Sequence, residues 1–488
     1  MADFLTNIAD LLRYHADAPM LFSSGTFWLL FLLFLPLYGL LSRQRLGQQA
    51  FVVAFSLYFY YKCSGWFVGL LAATSVVDWW LSHAIARTHS SRDKRWLVAL
   101  SLTCSLGVLA FFKYANFALW NWAALVQGNF HPLDIILPVG ISFYTFQSVS
   151  YIIDVYRGRV QPTATWLHYA FYLTFFPALV AGPIVRADQF LPQVIERPQP
   201  TAAQIWGGLW LIILGVIKKA IIADYIAGYN DLIFDAPGAY SGFETLMGVV
   251  GYTVQIYCDF SGYSDMAIGI AAIMGFKLAA NFNFPYKARN LTDFWHRWHI
   301  SLSSWLRDYL YIPLGGNRRG RVRTYINLML TMLIGGLWHG AAWRFVFWGG
   351  MHGLGLAVHK ALRPQLDRVP DTWAVRALSW LITTTFVAFL WVYFRADSWQ
   401  SAATLVTTIF TNFSPAHILP FIQTRQLWLV LMAIIITAHA LPSGLWQAAE
   451  RRFIAAPWVV KLALFLLVTQ ATIQLAGESV APFIYFQF

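Results

Sequence analysis

Uncharged stretches long enough to cross a lipid bilayer recur along the whole chain, at residues 21–42, 135–153, 160–185, 198–217, 324–343, 377–394 and 426–449. A helix of about 20 apolar residues spans the hydrocarbon core, so each run predicts or contains a membrane helix. Shorter apolar runs at 63–77, 97–112, 245–258, 345–359 and 462–477 raise the expected total to roughly eleven to thirteen membrane segments, some tilted or re-entrant. The runs are continuous rather than alternating, which excludes the strands of an outer-membrane barrel. The predicted fold class is therefore all-α: a polytopic integral membrane protein. At the N-terminus, Phe4, Leu5, Ile8, Leu11 and Leu12 fall at helical spacing beside Asp3, Asp10, Arg13 and Asp17, the pattern of a short interfacial helix. Residues 1–20 are read as this extension, with Met20 as an alternative start, and residues 21–488 as a single membrane domain without internal repeats.

Composition agrees with the pattern. Of 488 residues, 58% are hydrophobic and 11% charged, against about 25% charged in soluble proteins. Cys63, Cys104 and Cys258 lie in or beside apolar runs without CxxC spacing, so neither a disulfide framework nor a metal site is indicated. The net charge of +12 does not point to nucleic acid, because the basic residues sit in short loops between apolar runs. That is the positive-inside pattern, which reports orientation and contact with membrane lipid. From Lys287 to Thr324, eight Lys/Arg face only Asp293 and Asp308, a net +6, which predicts a cytoplasmic position. The interval Lys277–Arg323 is also rich in Gly, Pro, Trp and Tyr, so a folded, partly membrane-buried loop region is expected.

Ionisable groups in apolar surroundings cost about 2.5 to 3.5 kcal/mol at a helix centre and mark the places to look for chemistry. Asp259 and Asp265, with Gly262 between them, predict a broken or paired helix and are either ion-paired structural groups or ligand contacts. A second cluster, Phe294–Asn317, gathers Arg297, Trp298, His299, Trp305 and Arg307 before a Gly-Gly turn, as a pocket for a flat phosphorylated ligand would; an interfacial aromatic belt is the alternative. In a third, His339 stands among Gly335, Gly336 and Gly340 at the end of an uncharged run, where the glycines leave room for a ligand to approach the ring. His352, in a similar Gly-His-Gly setting, is read as a packing residue. HExxH, GxSxG, Walker A and GxGxxG motifs are all absent, which removes the corresponding chemistries. What remains is a histidine-centred tunnel reached from a basic, aromatic surface. A neutral histidine suits general-base acyl transfer, and positive charge at the mouth suits a phosphorylated acyl carrier such as coenzyme A.

Several motifs, in order, resemble the membrane-bound O-acyltransferase (MBOAT) family, in its bacterial polysaccharide-acetylating branch that serves alginate. They are Phe112-Lys-Tyr-Ala-Asn-Phe117, Pro138–Tyr144, Ser150–Gly158, Ala181-Gly-Pro183, Ile217-Lys-Lys219, Asp259–Ala267, Phe294–Asn317 and Gly335–Gly340, with Phe483–Phe488 also family-like. The resemblance implies that His339 is catalytic and His299 a second functional histidine. It further implies an acetyl donor taken from the cytoplasm, acetyl-CoA, as substrate rather than bound cofactor. The two polar clusters themselves supply Arg297, Arg307, Trp298, Trp305, Asp259 and Asp265 as candidate donor-binding residues. Acetyl groups would cross the bacterial inner membrane to periplasmic partner acetyltransferases that esterify an exopolysaccharide. Alginate is the first expectation, and cellulose or another envelope glycan the alternative. An ion-coupled transporter is the alternative from a different class, since buried carboxylates on a broken helix would also suit a carrier.

Overall fold

The computed structural model describes residues 10, 12–16 and 19–475. The interfacial helix expected from Phe4, Leu5, Ile8 and Leu11 lies outside the described residues, as does Phe483–Phe488. Every regular element among the described residues is helical. Among the described residues, six helices are long and apolar enough to cross a membrane, and eight spans result if each of two sharply bent pairs counts as one: Trp399–Thr411 with Pro415–Thr424 (97°), and Gln426–Ala440 with Ser443–Ala455 (100°). The chain is thus an all-α, multi-pass membrane protein. Of the other apolar runs, 245–258 and 345–359 lie in the long helices Gly242–Ile273 and Trp343–Leu366, and 324–343 and 135–153 lie largely in helices Arg321–His339 and Ile141–Tyr156.

By their contacts the residues fall into two units. The first holds the chain up to Ile212 together with Met266–Ala279. Its helices Gly25–Leu40 and Arg45–Ser64 bury Phe27, Phe31, Phe34 and Phe59 against Phe176. The uncharged run 160–185, expected to hold a spanning helix, instead forms the short helices Trp166–Thr174 and Phe176–Leu179. Pro177 starts the second of these, and Gly182 lies so close to the preceding turn that a Cβ there would come within 2.5 Å of Ala178 Cα. Nine helical residues reach only about 14 Å, and the run is apolar because it is core: Tyr169, Tyr172, Phe175, Phe176 and Leu179 are all buried.

The second unit holds Ile213–Asp265 and Ala280 onward. Here the interval expected as a folded loop region forms a series of short helices, Pro285–Lys287, Leu291–Arg297 and Ile300–Leu306, followed by a π-helical turn, Arg307–Tyr311. Buried Asn327 then anchors the Gly-Gly turn, its Nδ2 donating to Gly316 O at 3.1 Å. The chain continues into helix Arg321–His339 and, after a three-residue turn, helix Trp343–Leu366. These two cross at Gly336 and Gly349. A Cβ on Gly336 would sit 2.2 Å from Phe345 O and 3.0 Å from Gly349 Cα, and one on Gly349 would sit 2.2 Å from Met332 O. Small residues at a membrane helix crossing let backbones approach this closely.

The broken helix expected around Asp259 and Asp265 does not occur. Helix Gly242–Ile273 runs unbroken through both. Both carboxylates are neutralised from a neighbouring element: Lys219 Nζ lies 2.5 Å from Asp259 and 2.7 Å from Asp224, and Lys218 pairs with Asp265. The two lysines project from a π-helical turn, Ile217–Ala223. Gly262 admits that turn, since a Cβ at 262 would come 2.8 Å from Gly215 O and 2.9 Å from Lys219 N.

Candidate active site

His339 is the last residue of helix Arg321–His339 and is buried. Its ring meets Trp338 at 5.0 Å between centroids, Trp348 at 5.1 Å and Phe394 at 5.3 Å, all near edge-on. Gly340 follows at once, and a Cβ there would overlap the Phe345 ring at 2.0 Å. The helix therefore ends with its imidazole in an aromatic wall and its backbone pressed on a phenyl face.

His299 comes from the short-helix region. It links helix Leu291–Arg297 to helix Ile300–Leu306 in a left-handed conformation, φ 43° and ψ 56°, and is fully buried. A non-glycine residue pays about 1 to 3 kcal/mol for such a backbone, which persists only where its surroundings enforce it. Asn281 does so. Its carbonyl O accepts from Ile300 N at 2.9 Å, and its Oδ1 accepts from Ser301 N at 3.2 Å and from Ser301 Oγ at 2.9 Å. The same Oδ1 lies 3.1 Å from His299 Nδ1, while Asn281 Nδ2 donates to Ser264 Oγ at 3.3 Å. An amide oxygen only accepts, so Nδ1 is the protonated ring nitrogen and Nε2 carries the lone pair.

The two histidines, 40 positions apart in the sequence, converge on one indole: Trp338 meets His339 at 5.0 Å and His299 at 6.2 Å. Phe260 closes the His299 side at 4.6 Å, edge-on. The other candidates are arranged differently. Trp298 is a core residue, stacked on Phe294 at 5.7 Å and packed on Trp391 at 5.0 Å. Trp305 packs on Tyr309 at 5.2 Å. Arg297 binds Asp293 at 2.7 Å, and Arg307 binds Asp308 at 2.7 Å. Asp259 and Asp265 are held by the lysines described above. His352 is fully buried among Phe294, Trp295, Trp348 and Phe386, as expected of a packing residue. Motif reading did not single out Asn281 or Ser264 as supports of His299. An asparagine in the irregular stretch before a histidine carries no signal until the fold closes the gap of 18 residues.

Chemically, the pair offers an imidazole with a fixed tautomer and a second imidazole that meets the same indole, both set in aromatic walls. Such a site can remove a proton from a hydroxyl or thiol and return it to a leaving group.

A model of the MBOAT, membrane-bound O-acyltransferase family matches residues 163–396, a span that contains both histidines. The chain is 38% identical to the probable alginate O-acetylase AlgI of Azotobacter vinelandii over 96% of its own length and all of the relative's. It is 38% identical to the peptidoglycan O-acetyltransferase of Helicobacter pylori over 74% of this chain and 73% of that protein. Against the teichoic acid D-alanyltransferase of Bacillus subtilis the identity is 28%, covering 56% of this chain and 72% of the relative.

Proposed function

The chain belongs to the membrane-bound O-acyltransferase family, and from that premise we propose that it transfers acetyl groups from cytoplasmic acetyl-CoA toward an exopolysaccharide, with alginate the first candidate. It is a multi-pass O-acyltransferase, and the proposal adds the donor, the acceptor and the membrane, which we take as the bacterial inner membrane. The observation that carries the reading is the convergence of His339 and His299 on Trp338. Near-full-length similarity to an alginate O-acetylase supports alginate, and the peptidoglycan relative makes another envelope glycan the alternative acceptor.

In the proposed step, the acceptor's hydroxyl oxygen adds to the thioester carbonyl as His339 takes its proton. The carbon–sulfur bond then breaks, and the thiolate leaves as free thiol with the proton returned from His339. His299 holds the reacting groups through its lone-pair nitrogen. Arg318, Arg319, Arg321 and Arg323 supply charge for the donor phosphates, together with the parts of the Arg297 and Arg307 guanidiniums that Asp293 and Asp308 leave open. Periplasmic acetyltransferases complete the esterification of the polymer. The carrier reading loses its main support with the unbroken helix at Asp259 and Asp265.

The test compares cells with no copy, the wild-type chain or His339→Ala at matched membrane levels, reading ester-linked acetate on isolated exopolysaccharide by NMR. Acetate with wild type alone is the expected result, and the spectrum identifies the sugar. Equal acetate in all three sinks the exopolysaccharide assignment.

A further inference from the structure

Within the second unit, a cavity of about 620 Å³ lies between helices Gly242–Ile273, Trp373–Arg395 and Gln426–Ala440. Neither His339 nor His299 lines it. Aromatic side chains stand between: the groove wall Tyr286 packs on Trp298, Trp298 on Trp391, Trp391 on Trp348, and Trp348 on His339. The cavity thus has its own wall and its own lining.

That lining divides into two chemistries. Along helix Trp373–Arg395 the contributing residues are Arg376, Ala377, Trp380, Thr384 and Ala388, one face of a helix at spacings of about four. From Arg376 to Ala388 the groove follows twelve residues, about 18 Å at 1.5 Å per residue. Half the hydrocarbon core measures about 15 Å, so the groove is as deep as one leaflet. Its sides are Val250, Val254, Ile435 and Ile436. It opens outward, where Trp380 and Ile436 stay exposed on helices apolar enough to meet lipid.

The mouth is cationic: Lys287, Arg289 and Arg376. Asp371 clasps both arginines, at 3.0 Å from Arg289 and 2.8 Å from Arg376, and so sets the two guanidiniums side by side. It uses one nitrogen of Arg289 and two of Arg376, which leaves N–H groups of both forks for other oxygens. Lys287 donates to Leu441 O at 2.5 Å and lies over the Phe284 ring at 4.2 Å. Three cations against one carboxylate leave a net +2 at the open end of an apolar slot.

We propose that this groove binds an anionic phospholipid, with one acyl chain along the Trp380–Ala388 face and the phosphate held by Arg289, Arg376 and Lys287. A paired-guanidinium mouth matches phosphate oxygens, and a leaflet-deep apolar slot matches a chain. A zwitterionic lipid offers the same chain without the net charge. Each juxtamembrane cation adds about 1 kcal/mol of attraction to anionic lipid, or about fivefold in affinity, so phosphatidylglycerol is favoured over phosphatidylcholine of equal chain length by about 25-fold.

The experiment is native mass spectrometry of the full chain in detergent, titrated with these two lipids and, separately, with coenzyme A. Expected results are retention of phosphatidylglycerol over phosphatidylcholine, a weaker preference in Arg289→Gln/Arg376→Gln, and a stronger one by about fivefold in Asp371→Asn. Ala388→Trp fills the slot without altering charge and lowers retention of both lipids, with a thermal melt matching wild type as the check on folding. The proposal is overturned if the four proteins retain phosphatidylglycerol equally, or if coenzyme A displaces it, which would reassign the groove to a nucleotide.

Discussion

His299 is held by two features that separate when the residue is changed. Its backbone is left-handed, a conformation that Asn adopts far more readily than most residues, while its ring nitrogen is fixed by Asn281. His299→Asn therefore keeps the backbone and removes the imidazole. If the imidazole takes part in transfer, His299→Asn reaches wild-type membrane levels yet lowers polymer acetate by about 10²-fold, the lower end of what a positioned acid–base group contributes; full acetate in that variant would make His299 a purely structural residue. Asn281→Ala acts one step away. It removes the oxygen that fixes the tautomer and binds Ser301, and displacement of a reacting group by about 1 Å costs on the order of 10²-fold. The expected outcome is folded protein with acetate reduced to a similar extent, measured on the same isolated polymer.

At the scale of elements, the site depends on two close packings. Gly340→Ala drives a methyl into the Phe345 ring, and overpacking of this kind costs about 1 to 3 kcal/mol. A lower melting temperature in detergent and lower acetate are expected, with part of both restored in Gly340→Ala/Phe345→Leu, because the shorter side chain vacates the overlap. The lysine turn gives a prediction with a built-in asymmetry. Lys219→Met leaves Asp259 and Asp224 without their shared cation, the kind of broken buried pair that costs about 3 to 5 kcal/mol. Asp259→Asn leaves Lys218 and Lys219 facing Asp224 and Asp265, two charges of each sign, and so destabilises less; a chemical or thermal melt that ranks the two the other way contradicts the ion-pair account. These elements also mark how far the sequence is readable. The apolar runs, the folded interval after Lys277 and the glycine-flanked histidine are all legible, because they rest on local pattern. The continuity of helix Gly242–Ile273 is not, since a charge count assigns Asp259 and Asp265 a cost without seeing the two lysines that neutralise them from another element. Nor does hydropathy separate a spanning helix from the buried short helices of 160–185, which are equally apolar.

For the whole molecule the decisive property is the side on which its charge lies. Half of the net +12 falls between Lys287 and Thr324, and the positive-inside rule predicts the cytoplasmic side for a +6 segment between apolar helices. The same segment leads, through Asn327 and helix Arg321–His339, to the catalytic candidate, so its sidedness also fixes the side from which a phosphorylated donor would enter. Arg319 is exposed and tests this directly. Of the native cysteines, Cys63 and Cys258 are buried and only Cys104 is exposed, so Cys104→Ser gives a background in which Arg319→Cys is the thiol open to reagent. A membrane-impermeant maleimide is expected to label that cysteine in inverted vesicles and not in intact spheroplasts, and the loss of one positive charge out of eight leaves the orienting excess in place. Labelling from the outer face instead would turn the chain over in the membrane, leave the arginine turn on the side where coenzyme A is absent, and remove the cytoplasmic donor from the proposed reaction while leaving the two-histidine geometry intact.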